Sequence, residues 1–172
     1  KYGRWADLGT GSGPLAISLA QSLPYWEGHA VDISQDALQL AKKNLNSLSP
    51  NSNVKLYLGD WWEPLNRLWG SFDLVVSNPP YIPSDLIKDL EPVVKNHEPH
   101  VALDGGVDGM SASQKIIIGS LNGLAKGGWL ILEHHYDQSE QIIKFMKDIG
   151  MEDVSFEKDL NGIKRYAICR KK

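Results

Sequence analysis

The chain has 172 residues, 42% of them hydrophobic and 23% charged, a composition that suits one soluble domain with a sizeable core. Its net charge of −3 argues against broad nonspecific affinity for nucleic acid. The single cysteine, Cys169, excludes an internal disulfide and any multi-cysteine metal site, and no metal is assigned. No stretch is long and apolar enough to span a membrane and no signal peptide opens the chain, so a cytoplasmic location without a membrane partner is expected. Lys1-Tyr2-Gly3 leads almost at once into a core strand, which points to a piece of a longer protein.

Arg4 to Leu8 reads as the first strand, and Pro14 to Ser22 as a helix begun by a proline whose missing N–H costs nothing in the first turn. Gly28 to Ile33 is a second strand. Ser34 caps a helix to about Asn46, with Ala37, Leu38, Leu40, Ala41 and Leu45 at helical spacing. Asn53 to Leu58 is a third strand and Phe72 to Ser77 a fourth, its consecutive apolar residues fitting a strand covered on both faces. From Ile82 to about Ala112 the chain is rich in Pro, Gly, His and acidic residues, and a loop of that length is usually functional or mobile. A helix over Ser113 to Leu124, the turn Gly127-Gly128, a strand over Trp129 to Glu133 and an amphipathic helix over Ser139 to Ile149 follow. Two strands, Asp153 to Glu157 and Arg165 to Cys169, close the chain around Asn161-Gly162; Cys169 reads as a core residue of the last one. Strands alternating with helices predict an α/β fold, a mostly parallel seven-stranded sheet whose last strand enters antiparallel. Ligands in such sheets bind at the carboxyl ends of the strands, near the switch point in strand order.

The unusual motifs fall at those ends. Asp7-Leu8-Gly9-Thr10-Gly11-Ser12-Gly13 follows the first strand. A dinucleotide fingerprint beginning at Gly9 needs glycine or alanine where Pro14 stands, and no lysine follows to make a P-loop. Asp7 would repel a pyrophosphate. What remains is a loop for a zwitterionic or positively charged ligand without phosphate, a description that S-adenosylmethionine fits. Asp32 ends the second strand, where a carboxylate can accept from both ribose hydroxyls. Asp60-Trp61 ends the third, and a carboxylate beside an indole suits adenine.

Asn78-Pro79-Pro80-Tyr81 ends the fourth strand. The prolines stiffen the loop and remove two backbone donors, and Asn78 is pushed extended by the proline after it. The Asn78 side-chain oxygen and the Pro79 carbonyl can accept the two hydrogens of a planar NH2 group. Tyr81 adds a flat face.

With these residues in view, the sequence resembles the class I S-adenosylmethionine-dependent methyltransferases, which are Rossmann-like. More narrowly it resembles the HemK/PrmC family of protein-(glutamine-N5) methyltransferases acting on peptide chain release factors. The resemblance covers almost the whole chain. It runs through Asp7–Gly13, Val31-Asp32-Ile33-Ser34, Gly59-Asp60-Trp61 and Val75–Ile82, then Glu98-Pro99, Ala102–Gly106, Asp108-Gly109 and Leu132-Glu133-His134. It implies a cofactor, S-adenosylmethionine, held by Asp7, Gly9, Thr10, Gly11, Ser12, Gly13, Asp32, Ile33, Asp60, Trp61 and Asn78. It implies a glutamine held by Asn78, Pro79, Pro80 and Tyr81, with Asn78, Pro79 and Tyr81 catalytic, and S-adenosylhomocysteine as product. The partner implied is a release factor presenting a glutamine-bearing loop. The family's N-terminal helical docking domain is absent from residues 1–172. His135 stands where the family usually has glycine, and Pro14 where a small residue is common.

An amide nitrogen is a poor nucleophile, so the site's contribution on this reading is orientation. Acceptors aimed at the NH2 also stabilise charge developing on nitrogen. No general base stands out: His97 and His100 read as structural or surface residues, and Glu98 as an organiser of the long loop. An adenine-N6 methyltransferase of DNA or RNA is the alternative enzyme, since the same four residues can grip an exocyclic amine. The acidic balance and the lack of a target-recognition segment argue against it. A noncatalytic S-adenosylmethionine-binding domain is the alternative of another class.

Overall fold

The computed structural model describes residues 2–87 and 103–172. Seven strands make one sheet: β1 (Arg4–Leu8), β2 (Glu27–Asp32), β3 (Val54–Leu58), β4 (Phe72–Ser77), β5 (Leu124–Glu133), β6 (Glu152–Lys158) and β7 (Lys164–Arg170). Their order is β3-β2-β1-β4-β5-β7-β6. The pairs among β1 to β5 are parallel, and β7 runs antiparallel to both β5 and β6. The antiparallel last strand is thus present, inserted between β5 and β6 rather than added at the edge.

Four helices are described, α1 (Pro14–Ser22), α2 (Gln35–Leu48), α3 (Ser111–Gly123) and α4 (Ser139–Asp148). Helix α1 begins on Pro14, and the Ser34 hydroxyl caps α2 by accepting from the Ala37 N–H at 3.2 Å. Successive strand residues point to opposite faces. Trp5 and Ala30 join Ala16 and Ala20 on one face of the sheet. Ala6, Leu8, Val31 and Val75 join the larger cluster with Phe72, Ile116, Ile117, Ile142 and Met146 on the other. Cys169 is buried in that cluster, where loss of hydration pushes its thiol up to about 12.

Three elements differ from the sequence expectation. Strand β5 begins at Leu124, and Gly127-Gly128 lies inside it rather than ahead of it. The register passes from Phe72↔Leu124 to Leu74↔Trp129, so the glycine pair is a bulge. A Cβ at Gly128 would stand 2.5 Å from the Phe72 carbonyl oxygen, so close strand approach, not a turn, requires glycine there. A 3-10 turn over Glu63–Leu68 was not anticipated. It carries buried Leu65 and follows Trp62, whose indole N–H donates to the Ile116 carbonyl at 3.0 Å. Cβ atoms at Gly119 and Gly123 would each lie 2.1 Å from that indole, so two glycines open a groove for it on α3 and anchor the end of β3. Finally, the latter part of the long Pro- and Gly-rich segment is ordered against the strand ends: Ile82 pairs with Asp104 in a parallel bridge. Helix α3 starts at Ser111, two residues before the expected Ser113. Glu98, Pro99, Ala102, His97 and His100 lie outside the described residues.

Candidate functional site

Strand order reverses between β1 and β4, both of which pair with carboxyl ends in step: Leu8 is opposite Val31 on one side and Ser77 on the other. The Ser77 hydroxyl donates to the Leu8 carbonyl at 2.6 Å, a buried bond that fixes the two strand ends together. The loops after β1 to β4 therefore share one edge of the sheet.

Gly9, Gly11 and Gly13 all have positive φ, at 74°, 57° and 90°. Gly9 also meets a second demand, because a Cβ there would stand 2.9 Å from the Trp61 ring. Trp61 itself has φ 46°, a left-handed conformation that costs a non-glycine residue about 1–2 kcal/mol. The indole is held over the glycine loop despite that strain. Beneath the loop, Asp7 is fully buried. One carboxylate oxygen accepts from the Thr10 hydroxyl at 2.6 Å and from the Ala16 N–H at 3.1 Å, while its other oxygen has no partner. Burial, augmented by the charge of Asp32, pushes the Asp7 carboxyl up to about 6. Asp7 thus organises the loop and the first turn of α1 from below.

Asp32 joins the loop to β2. One oxygen accepts from the Gly11 N–H at 2.7 Å and the other from the Ser34 N–H at 2.8 Å. Each oxygen keeps capacity for a further donor. At the end of β3, Asp60 pairs with Lys115 of α3 at 3.2 Å.

These groups line a cavity of about 730 Å³, whose wall includes Gly9, Gly11, Ser12, Asp32, Ile33, Asp60, Trp61, Asn78 and Pro80. Of the residues singled out in the sequence, those nine meet around one space. Thr10, Gly13 and Asp7 hold the loop without lining the cavity. Pro79 is buried and Tyr81 half-buried, and neither lines it. The cavity wall carries three carboxylates, Asp32, Asp36 and Asp60, and no lysine or arginine among the described residues. That field disfavours a phosphate and favours a ligand bearing positive charge. Ile33 and Leu40 are 58% and 47% exposed and give the wall apolar surface. A second cavity of about 380 Å³ shares Ile33, Asp60, Trp61 and Pro80 with the first and extends to Lys115.

Some contributors were missed in the sequence. Leu40 was counted with the helical core of α2, but only Leu38, Ala41 and Leu45 are buried there. Its place one position from Ala41 on the opposite side of the apolar stripe was the available signal. Ser34, Asp36 and Ala37 belong to the wall because the first turn of α2 starts at the sheet edge. Gln138, just before α4, is 6% exposed and bonded to Tyr81; nothing in local sequence announces it. His135 lies with its ring 5.8 Å from that of Tyr81 and 4.4 Å from that of Tyr136, so an imidazole occupies space that a glycine would leave open beside the motif.

A parallel sheet reversing at β1/β4, an antiparallel β7 and a glycine loop at the switch point define a class I methyltransferase fold. The likeness in fold extends to ribosomal protein L11 methylase from Lactobacillus delbrueckii subsp. bulgaricus. The TM-score is 0.69 at 22% identity, covering 100% of this chain and 72% of that one. The methyltransferase small domain model matches residues 1–93, and the chain belongs to that family. Its sequence is 59% identical over 169 residues to the release factor glutamine methyltransferase of Prochlorococcus marinus, covering 98% of this chain and 58% of that protein. It is 39% identical over 171 residues to the protein of the same name from Thermosynechococcus vestitus, covering 99% and 59%. The chain therefore spans well under two thirds of the length of these relatives.

Proposed function

We propose that residues 1–172 form the catalytic domain of an S-adenosylmethionine-dependent methyltransferase acting in the cytoplasm. Its acceptor is the side-chain amide nitrogen of a glutamine in a peptide chain release factor. The observation that carries the reading is that Asn78 and Pro80 border the same cavity as Asp32, Asp60 and Trp61.

The cavity fits the cofactor on its own chemistry. Asp32 retains acceptor capacity for two ribose hydroxyls while anchored by two backbone N–H groups. Asp60 offers an acceptor to an adenine amine, and Ile33, Leu40 and Trp61 offer apolar faces. Asp32 and Asp36, with Asp60 paired to Lys115 and no lysine or arginine among the described wall residues, favour a sulfonium and disfavour phosphate. When bound, S-adenosylmethionine supplies an electrophilic methyl group on a sulfonium.

The chain's own residues do the rest by holding the acceptor. Asn78, exposed at the end of β4, accepts one N–H of the glutamine amide on its side-chain oxygen, and the adjoining Pro79 carbonyl accepts the other. Both bonds strengthen as positive charge grows on nitrogen, so the arrangement stabilises the transition state more than the ground state. Pro79 and Pro80 remove the backbone donors that would compete for those acceptors. No helix among the described residues is long and apolar enough to cross a membrane. Among those residues no group of three or more His, Cys, Asp or Glu is suited to a metal ion.

Transfer of labelled methyl to a release factor, to DNA and to RNA tests the reading. Label on the release factor, lost when its glutamine is replaced, is expected. Label on a nucleic acid and none on the protein would reassign Asn78 to an exocyclic base amine.

A further inference from the structure

We propose that Gln138 is a positioning residue for methyl transfer: its buried side-chain amide grips the Tyr81 carbonyl and thereby sets the orientation of the Asn78–Tyr81 loop. The proposal rests on the reading of that loop as the acceptor-holding element.

Glutamine is mostly a surface residue, and burying its amide is costly unless each polar group finds a partner. Gln138 is 6% exposed, and its groups are matched. The Nε2 hydrogens are donated to the Tyr81 carbonyl at 3.1 Å and to the Gly109 carbonyl at 3.2 Å. The Oε1 accepts from the His135 N–H at 3.1 Å. Tyr81 and Gly109 stand 57 and 29 residues away in sequence, so one side chain joins three segments at the carboxyl edge of the sheet. The junction admits nothing more. A Cβ on Gly109 would lie 2.3 Å from the Tyr81 oxygen and 2.7 Å from the Gln138 Nε2.

The loop needs an outside anchor because of its composition. Two of its four residues are prolines without an N–H, so it can make few backbone bonds of its own. Its start is fixed by Ser77 on the Leu8 carbonyl. Beyond its end, Ile82 donates to the Leu103 carbonyl at 3.2 Å and accepts from the Gly105 N–H at 2.8 Å. Gln138 holds the last motif residue between those points, by its backbone carbonyl. Glutamine is suited to this in a way that its nearest relatives are not. Glutamate would set a carboxylate against two carbonyl oxygens, and asparagine is one methylene too short. Leucine fills the space and donates nothing.

The test compares Gln138→Leu and Gln138→Glu with the parent chain in five measurements. These are kcat and KM for methyl transfer to a glutamine-bearing release factor, calorimetric affinity for S-adenosylhomocysteine, melting temperature, and exchange of the backbone amides of residues 81–84 other than Pro83. A displacement of the acceptor by about 1 Å costs on the order of 10²-fold in rate. The expected result is therefore a kcat lower by about 10²-fold and faster exchange over 81–84, with cofactor affinity and KM little changed. Unchanged kcat and exchange in both variants would overturn the proposal. So would a parallel loss of cofactor affinity, melting temperature and kcat, because Gln138 would then support the fold alone. If Gln138→Leu does not fold, Gln138→Glu, of nearly the same volume, decides by the same split. A parent chain that methylates nucleic acid instead of glutamine would refute the substrate reading, and the exchange measurement would still judge the anchor.

Discussion

Replacement of Asp32 by alanine separates the carboxylate's two duties. In the free protein it ends two backbone bonds, from Gly11 at 2.7 Å and from Ser34 at 2.8 Å. The Ser34 N–H is exposed and can turn to water, so its loss costs little. The Gly11 N–H is partly buried, and a bond to a charged acceptor contributes about 1.5 kcal/mol or more. For a domain of this size that lowers the melting temperature by roughly 3–6 °C. On the proposed cofactor reading two ribose hydroxyls lose their acceptor as well, worth about 3 kcal/mol together, so the affinity for S-adenosylhomocysteine should fall on the order of 10²-fold. Asp32→Asn keeps one oxygen but turns an NH2 toward a backbone N–H, and an intermediate loss of about 10-fold is expected. Calorimetry and thermal unfolding on the three proteins give both quantities. An Asp32→Ala protein that melts a few degrees lower yet binds S-adenosylhomocysteine as tightly as the parent would refute the ribose assignment while leaving the loop anchor intact.

Asn78→Ala should reduce methyl transfer to release factor by at least about 10²-fold with S-adenosylhomocysteine affinity nearly kept; a fully active variant in a labelled-methyl assay would remove the mechanism. Gly9→Ala should lower the melting temperature more than Gly11→Ala, since both force alanine to positive φ but only the first drives a Cβ to 2.9 Å from the Trp61 ring; the reverse ranking would count against Trp61 packing on the loop. Two buried groups should give opposite slopes of stability with pH. Burial holds the His29 imidazole down at about 4, so the stability tied to its neutral form is present above its ordinary 6.5 and lost as pH falls from there toward 4. Asp7, pushed up to about 6, does the reverse: its protonated form stabilises the fold at low pH, and that stability is lost as pH rises through 6. Each amounts to roughly 2 kcal/mol between pH 6.5 and 4.5, so in the parent these two contributions largely offset each other. His29→Gln should gain stability as pH falls and Asp7→Asn should lose it, in denaturant titrations across that window; parallel slopes would show that neither side chain behaves as a buried titrating group.

Much of the site was written in local sequence because its chemistry is local. Positive φ at Gly9, Gly11 and Gly13 follows from a tight strand-to-helix turn, and two prolines stiffen the loop after β4 wherever that strand lies. Asp32, Asp60 and Trp61 were legible because each stands at or just past the carboxyl end of an apolar strand, the edge where ligands of parallel sheets bind. Asp7 was legible as important but not as buried. Whether a strand-end side chain faces the ligand or the helix layer depends on which face of the sheet it occupies, and Asp7 shares the face of Trp5, against α1. Leu40 failed in the other sense, since helical spacing does not say where a sheet ends and a cavity begins. The Gly127-Gly128 pair looked like a turn because its two partners, the Phe72 carbonyl and Lys171, come from distant segments.

Alternating strands and helices, and the residues each strand carries at its end, were determined by the sequence itself, because burial period and backbone restriction act over a few residues. Tertiary structure alone decided that β1 and β4 are neighbours, which brings Asn78 to the cavity that Asp32 and Trp61 line. It alone brought Gln138 to Tyr81 and Gly109. Contacts across such separations depend on strand order and on the closing of long loops, and no periodicity in the chain encodes either one.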